Sequence, residues 1–112
     1  MIATENKTGP LAVVRALLDP LGVECRLGEG LQPIRPGEVE AVVIAGMGGV
    51  TIARILAGSP EVVGRLRALV LQPVQHAEEL FDGLFQDGYR EAGRTEVAQG
   101  PHRYTALLLV PP

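Results

Sequence analysis

The run Val42-Val43-Ile44-Ala45-Gly46-Met47-Gly48-Gly49-Val50-Thr51-Ile52-Ala53-Arg54-Ile55-Leu56 decides the fold. Ala41 to Ala45 is a continuous apolar stretch rich in β-branched residues, the pattern of a central parallel strand covered on both faces. Val50 to Leu56 reads as a helix, and the four residues between, Gly46 to Gly49, leave room only for a tight turn. Strand, turn and helix in fifteen residues form a βα unit of a parallel sheet. The turn contains no acid, base or nucleophile, so any chemistry at this edge depends on backbone groups and on side chains from neighbouring loops.

Similar units lie on both sides. Ile2-Ala3-Thr4-Glu5 is a short strand ending in a carboxylate, and Asn6 to Pro10 is a loop with Pro10 placed to open a helix. Leu11, Val14, Leu18 and Leu21 follow at helical spacing, ended by Pro20-Leu21-Gly22. Val23, Cys25 and Leu27 alternate with Glu24 and Arg26 as in a half-buried strand that stops at Gly28-Glu29-Gly30, and Leu31 to Glu40 is a loop. Downstream, Gly58-Ser59-Pro60 interrupts the helix, Glu61 to Arg67 adds a helical turn or two, and Ala68 to Leu71 is a buried strand closed by Gln72-Pro73. His76 to Asp87 carries Leu80, Phe81, Leu84 and Phe85 on one helical face, with Gly88 as its stop signal. Tyr89 to Val97 and Arg103 to Val110 pair as a terminal hairpin through Gln99 to His102. The expected fold is α/β: a Rossmann-like sheet, mostly parallel, with a C-terminal antiparallel hairpin, in one domain over residues 1–112.

Composition narrows the function. The chain has 112 residues, 46% hydrophobic and 21% charged, as in a globular domain with a real core. The apolar runs are too short to span a bilayer and no signal peptide opens the chain, so a cytoplasmic protein is expected. Cys25 has no cysteine partner and no histidine at metal-ligand spacing, so neither a disulfide nor a metal site is expected. Ten basic residues against thirteen acidic ones give a net charge of −3, without the basic excess of a stand-alone nucleic-acid binder.

In an open α/β sheet, ligands bind where strands lead into helices, which here means Glu5-Asn6, Gly28-Glu29-Gly30 and Gly46 to Gly49. Counting from Gly46, the third position is glycine but the sixth is Thr51, so the dinucleotide fingerprint fails, and no Gly-Lys-Ser/Thr completes a P-loop. The glycines either bring backbone close to backbone or open a path to a ligand. Glu5 can accept from a ribose diol and Glu29 from an adenine amino group, so two carboxylates at successive strand ends outline a nucleoside pocket. Gln72 can meet a base edge or satisfy a nearby loop, Tyr104 can stack or pack, and His76 and His102 read as exposed. Arg15, Arg54 and Arg65 read as solvated helix faces.

The segments IATENKTGPL, RLGEGL, VVIAGMGG, LVLQP and YTALLLV stand in the order and spacing of the bacterial tRNA (adenine-22) N1-methyltransferases, a Rossmann-like family dependent on S-adenosyl-L-methionine, which the chain resembles over nearly its whole length. The resemblance implies that Glu5 binds the cofactor ribose and Glu29, with Gly28, its adenine. It also implies that Gly46, Met47, Gly48 and Gly49 line the pocket near the transferable methyl group, the Gly48 and Gly49 amides donating there. Gln72 and Pro73 are the expected substrate-binding positions; no catalytic base is assigned.

The family opens with a strand and a glycine-rich Asp-x-Gly-x-Asp-His loop that contacts the methionine part of the cofactor, and it ends in a helical extension proposed to help hold tRNA. Neither is found in these 112 residues, so the resemblance implies a sheet lacking its first βα unit and a weakened grip on tRNA. The absent strand would lie between Ile2–Thr4 and Ala41–Ala45. The two flanking strands are then expected to pair directly, to borrow a strand from a second copy as a homo-oligomer, or to leave the chain partly unfolded. Gly48 is expected to need a positive φ or the close approach of a ligand. The rival readings are a non-catalytic Rossmann-like interaction module and an enzyme that binds another nucleotide.

Overall fold

The computed structural model describes residues 1–5, 16, 19–22 and 24–112. The expected loop at Asn6 to Pro10, most of the helix from Leu11 to Leu18, Arg15 and Val23 lie outside the described residues. Strands β1 (Ile2–Glu5) and β2 (Glu24–Leu27) pair in parallel as a two-stranded sheet, in register from Ile2 with Glu24 to Glu5 with Leu27. The second sheet holds β3 (Ala41–Met47), β4 (Ala68–Pro73), β5 (Arg90–Gln99) and β6 (His102–Val110) in the order β3-β4-β6-β5. β3 and β4 are parallel, and β6 runs antiparallel to both its neighbours. The mixed sheet with its terminal hairpin is the architecture read from the sequence. Gly100, at φ +59 before Pro101, supplies the positive φ that such a tight hairpin turn needs.

Among the described residues three helices pack on one face of the larger sheet: α1 (Gly49–Ala57), α2 (Pro60–Val63) and α3 (Ala77–Gln86). Each turns an apolar stripe inward, Ile52, Ile55 and Leu56 from α1, Val62 and Val63 from α2, Leu80, Phe81 and Leu84 from α3. They meet Ile44, Leu69, Leu71, Leu107 and Leu109, which the strand registers set on a single face. Gly88, at φ +98, turns the chain out of α3 toward β5.

Two expectations about burial fail. β3 was expected to be covered on both faces, yet Val43 is 70% exposed and Ala41, Ala45 and Met47 are exposed as well. Val43 shares its side of the sheet with Val70 and Leu108, whereas the buried stripes of α1, α2 and α3 meet the opposite side. In β2 the inward face is partly inverted. Leu27 is exposed, whereas Arg26 is drawn in by the Glu38 carboxylate and by the Pro33 carbonyl, to which its Nη1 donates at 2.8 Å. The loop after β2 explains the inversion, because Leu31 and Ile34 enter the core from it and bring Glu38 to the strand.

β1 and β3 are each the edge of their own sheet and do not bond to each other, so direct pairing of these strands does not occur. Among the described residues no helix is long and apolar enough to cross a membrane, and no group of His, Cys, Asp and Glu is gathered as for a metal ion.

Candidate functional site

The glycine turn is built around two backbone constraints. Ala45 pairs with Gln72 and Met47 with Pro73, so Gly46 is an extra residue, a bulge, and its φ of +77 is the left-handed conformation such a bulge uses. Beyond it the Val74 amide donates to the Met47 carbonyl at 2.9 Å and the Gly49 amide to the Gln75 carbonyl at 2.7 Å. A Cβ on Gly49 would stand 2.4 Å from the His76 carbonyl oxygen, so here backbone passes against backbone. These bonds tie the AGMGG turn to the segment after LQP, which gives that paired signature a physical meaning. They also correct one expectation: the Gly49 amide is spent on Gln75 and does not face a ligand. Gly48 has φ −70 and ψ 155, and a Cβ there would meet nothing nearer than 3.9 Å. Of the two needs expected of Gly48, a positive φ or the close approach of a ligand, the positive φ belongs instead to Gly46.

Beside the turn lies a depression of about 100 Å³ lined by Thr4, Gly28, Glu29, Gly30, Met47, Thr51, Arg54 and Ile55. Thr4 comes from the end of β1, the Gly28–Gly30 loop follows β2, and Met47 ends β3, so the site gathers the carboxyl ends of three strands. That brings the carboxyl ends of β1, β2 and β3 to one edge, where an open α/β fold holds its ligands. The loop is fixed from below. Thr4 Oγ1 donates to the Gly30 carbonyl at 2.8 Å and the Gln32 amide to the Glu29 carbonyl at 3.1 Å. Gly30 sits at φ +58 so close to Ile55 that a Cβ would fall 2.6 Å from its Cγ2. Glu29 Oε1 stands 2.5 Å from Arg54 Nη2, with the carboxylate side chain 37% and the guanidinium side chain 67% exposed.

Of the residues singled out in the sequence, Gly28, Glu29 and Met47 line this depression together. Glu5 ends β1 next to Thr4, and its side chain lies outside the described residues. Gly46, Gly48 and Gly49 adjoin it through the turn. Gln72 is half-buried beside Ala45, and Pro73 is fully buried, its ring packed away from solvent. Gly30 enters with the Gly28-Glu29-Gly30 loop that the sequence singled out, and sequence reasoning missed Thr4, Thr51, Arg54 and Ile55. Thr51, Arg54 and Ile55 are spaced i, i+3, i+4 on the helix that leaves the turn, and that phase was the available signal. His76 and His102 are exposed as read, and Tyr104 stacks on His102 with ring centroids 6.2 Å apart. A larger cavity of about 480 Å³ lies on the other flank of α1, among Leu56, Val63, Leu84, Tyr89 and Pro112. It sits away from the carboxyl ends of β1, β2 and β3, so the smaller depression is the better candidate.

The donor set of the depression suits a nucleoside. Its lining holds a carboxylate that can only accept and two threonine side chains, and Met47 and Ile55 offer apolar surface for a base. Its volume is below the roughly 300–1,000 Å³ of ordinary small-molecule sites, enough for part of a ligand.

The fold is an α/β one of the Rossmann kind. Over residues 1–107 the chain matches the methyltransferase-domain family, to which it belongs. It is 39% identical over 93 residues to the tRNA (adenine(22)-N(1))-methyltransferase of Bacillus subtilis, which covers 79% of this chain and 39% of that protein. The crystal structure of the B. subtilis M1A22 tRNA methyltransferase TrmK superposes with a TM-score of 0.88 at 30% identity, over 99% of this chain and 49% of that one. Streptococcus pneumoniae Sp1610, a candidate tRNA (m1A22) methyltransferase in complex with S-adenosyl-L-methionine, gives 0.90 at 27% identity over 98% and 54%. The chain thus spans about half the length of these relatives or less.

Proposed function

We propose that these 112 residues supply the nucleoside-binding half of an S-adenosyl-L-methionine-dependent tRNA (adenine-22) N1-methyltransferase of the bacterial cytoplasm. The observation that carries the reading is the convergence of Gly28, Glu29 and Met47 on one depression at the strand ends, in a chain of the methyltransferase-domain family. S-adenosyl-L-methionine, when bound, supplies the sulfonium methyl that adenine N1 takes by in-line displacement. The chain's own part is binding and orientation. Glu29 accepts from the adenine amino group of the cofactor, Glu5 from its ribose hydroxyls, and Met47 and Ile55 flank the base. Gly28 keeps the loop low. Gly46 and Gly49 hold the turn, and Gly48, free of a side chain at its open edge, lets the target base approach. Gln72 offers an amide to that base, and Pro73 fixes the strand end from which Gln72 projects. No step needs a strong base among these residues.

The test joins the first strand and glycine-rich loop of the B. subtilis relative to Met1 and measures S-adenosyl-L-methionine binding by calorimetry, then labelled methyl transfer to unmodified tRNA. Binding and adenine N1 methylation are expected in the joined protein, and both are expected to be lost on Glu29→Ala, which removes the acceptor. A joined, folded protein without cofactor affinity would overturn the reading.

A further inference from the structure

Resting on that nucleoside reading, we infer that Arg54 is a latch on the site: its guanidinium holds Glu29 in the free protein and has to leave before a base edge reaches the carboxylate. Three observations carry this. The pair closes at 2.5 Å within a depression of about 100 Å³ that both residues line, so the arginine occupies space the base requires. Glu29 has acceptor sites on two oxygens, but a planar guanidinium and a purine amino edge cannot both lie against it in that volume. The contact is also not what holds the loop. Thr4, Gln32 and the packing of Gly30 on Ile55 fix its backbone without Arg54.

The latch is built to open. Arg54 is 67% exposed and lies in the last turn of α1, where the helix carbonyls favour a cation, so its released state is solvated and not stranded. An exposed pair of this kind shifts an equilibrium by no more than about fivefold. Arg54 is therefore a modulator of affinity, and anything that weakens the pair strengthens nucleoside binding. Sequence reasoning placed Arg54 on a solvated face, which is true of its exposure but not of its partner.

The experiment uses the 112-residue chain and adenosine, which is uncharged at neutral pH, with binding followed by NMR titration at several salt concentrations. Arg54→Gln is expected to bind adenosine about two- to fivefold more tightly than the parent. Parent affinity should rise with salt as the ion pair is screened, whereas the Arg54→Gln affinity should not respond. Arg54→Lys keeps the charge and should keep the salt response. Glu29→Ala, which removes the acceptor altogether, should abolish binding in either background. Equal or weaker binding by Arg54→Gln, with Glu29→Ala still abolishing it, would refute the latch and leave the nucleoside site standing. Absence of adenosine binding in both parent and Arg54→Gln would overturn the two together.

Discussion

The three glycines of the turn do three different things, and single substitutions separate them. Gly46 needs its left-handed φ but has open space around it, so Gly46→Ala is expected to cost about 1–2 kcal/mol from backbone strain alone. Gly49 has an ordinary helical backbone, yet a Cβ there collides with the His76 carbonyl, a main-chain atom that cannot rotate away. Gly49→Ala should therefore force a backbone shift costing about 1–3 kcal/mol. Gly48→Ala meets neither obstacle and should leave stability within about 0.5 kcal/mol of the parent. Urea denaturation of the three variants checks the order, and a Gly48→Ala as damaging as Gly49→Ala would contradict this account. The sequence announced that the turn was special but not which glycine carried which constraint. That depends on the bulge at Gly46 and on the loop that returns beside Gly49 from more than twenty residues away.

At the scale of elements, the βα units were readable because each carries its own periodicity, while the faces of two strands were not. Nothing local in Ala41 to Ala45 says that one side of β3 is left open, and alternation in β2 points Leu27 inward although Arg26 takes that place. The cause lies in the loop between β2 and β3, whose Leu31 and Ile34 join the core and whose Glu38 binds Arg26. The Arg26 guanidinium, helped by the Arg35 amide donating at 2.9 Å, lowers the Glu38 carboxyl from the ordinary 4.5 to about 2. Because the fold favours the ionised form, the unfolded chain takes up the proton first. The stability contributed by this clip is thus complete above about 4.5 and is lost as the pH falls from there through about 2. Thermal midpoints of the parent should fall over that window more steeply than those of Glu38→Gln, which has no proton to gain at this position. Parallel pH profiles for the two proteins would show that the clip does not contribute to folding.

At the scale of the molecule, the two sheets are unequal. The larger one packs its central strands under three helices, with Leu69, Leu71, Leu107 and Leu109 fully buried. The smaller has two strands of four residues each, with Leu27 exposed, and two strands alone are marginal in water. It is held to the rest by the clip at Glu38, by Leu31 and Ile34, and by the contacts around Thr4 and Gly30. Its opening free energy should therefore lie well below that of the core, by about 3 kcal/mol, or roughly a hundredfold in amide protection. Hydrogen exchange should show the Cys25 and Arg26 amides exchanging before those of Leu69 and Leu71. The difference matters for function because the candidate site straddles both bodies: Thr4 and Glu29 belong to the smaller, Met47 and Thr51 to the larger. A ligand that bridges them binds the closed arrangement and not the opened one, so it should raise protection in β1 and β2 by the factor 1 + [L]/Kd. Uniform exchange across both sheets, with or without adenosine, would mean that the molecule opens as one cooperative unit and that the division between the sheets has no energetic consequence.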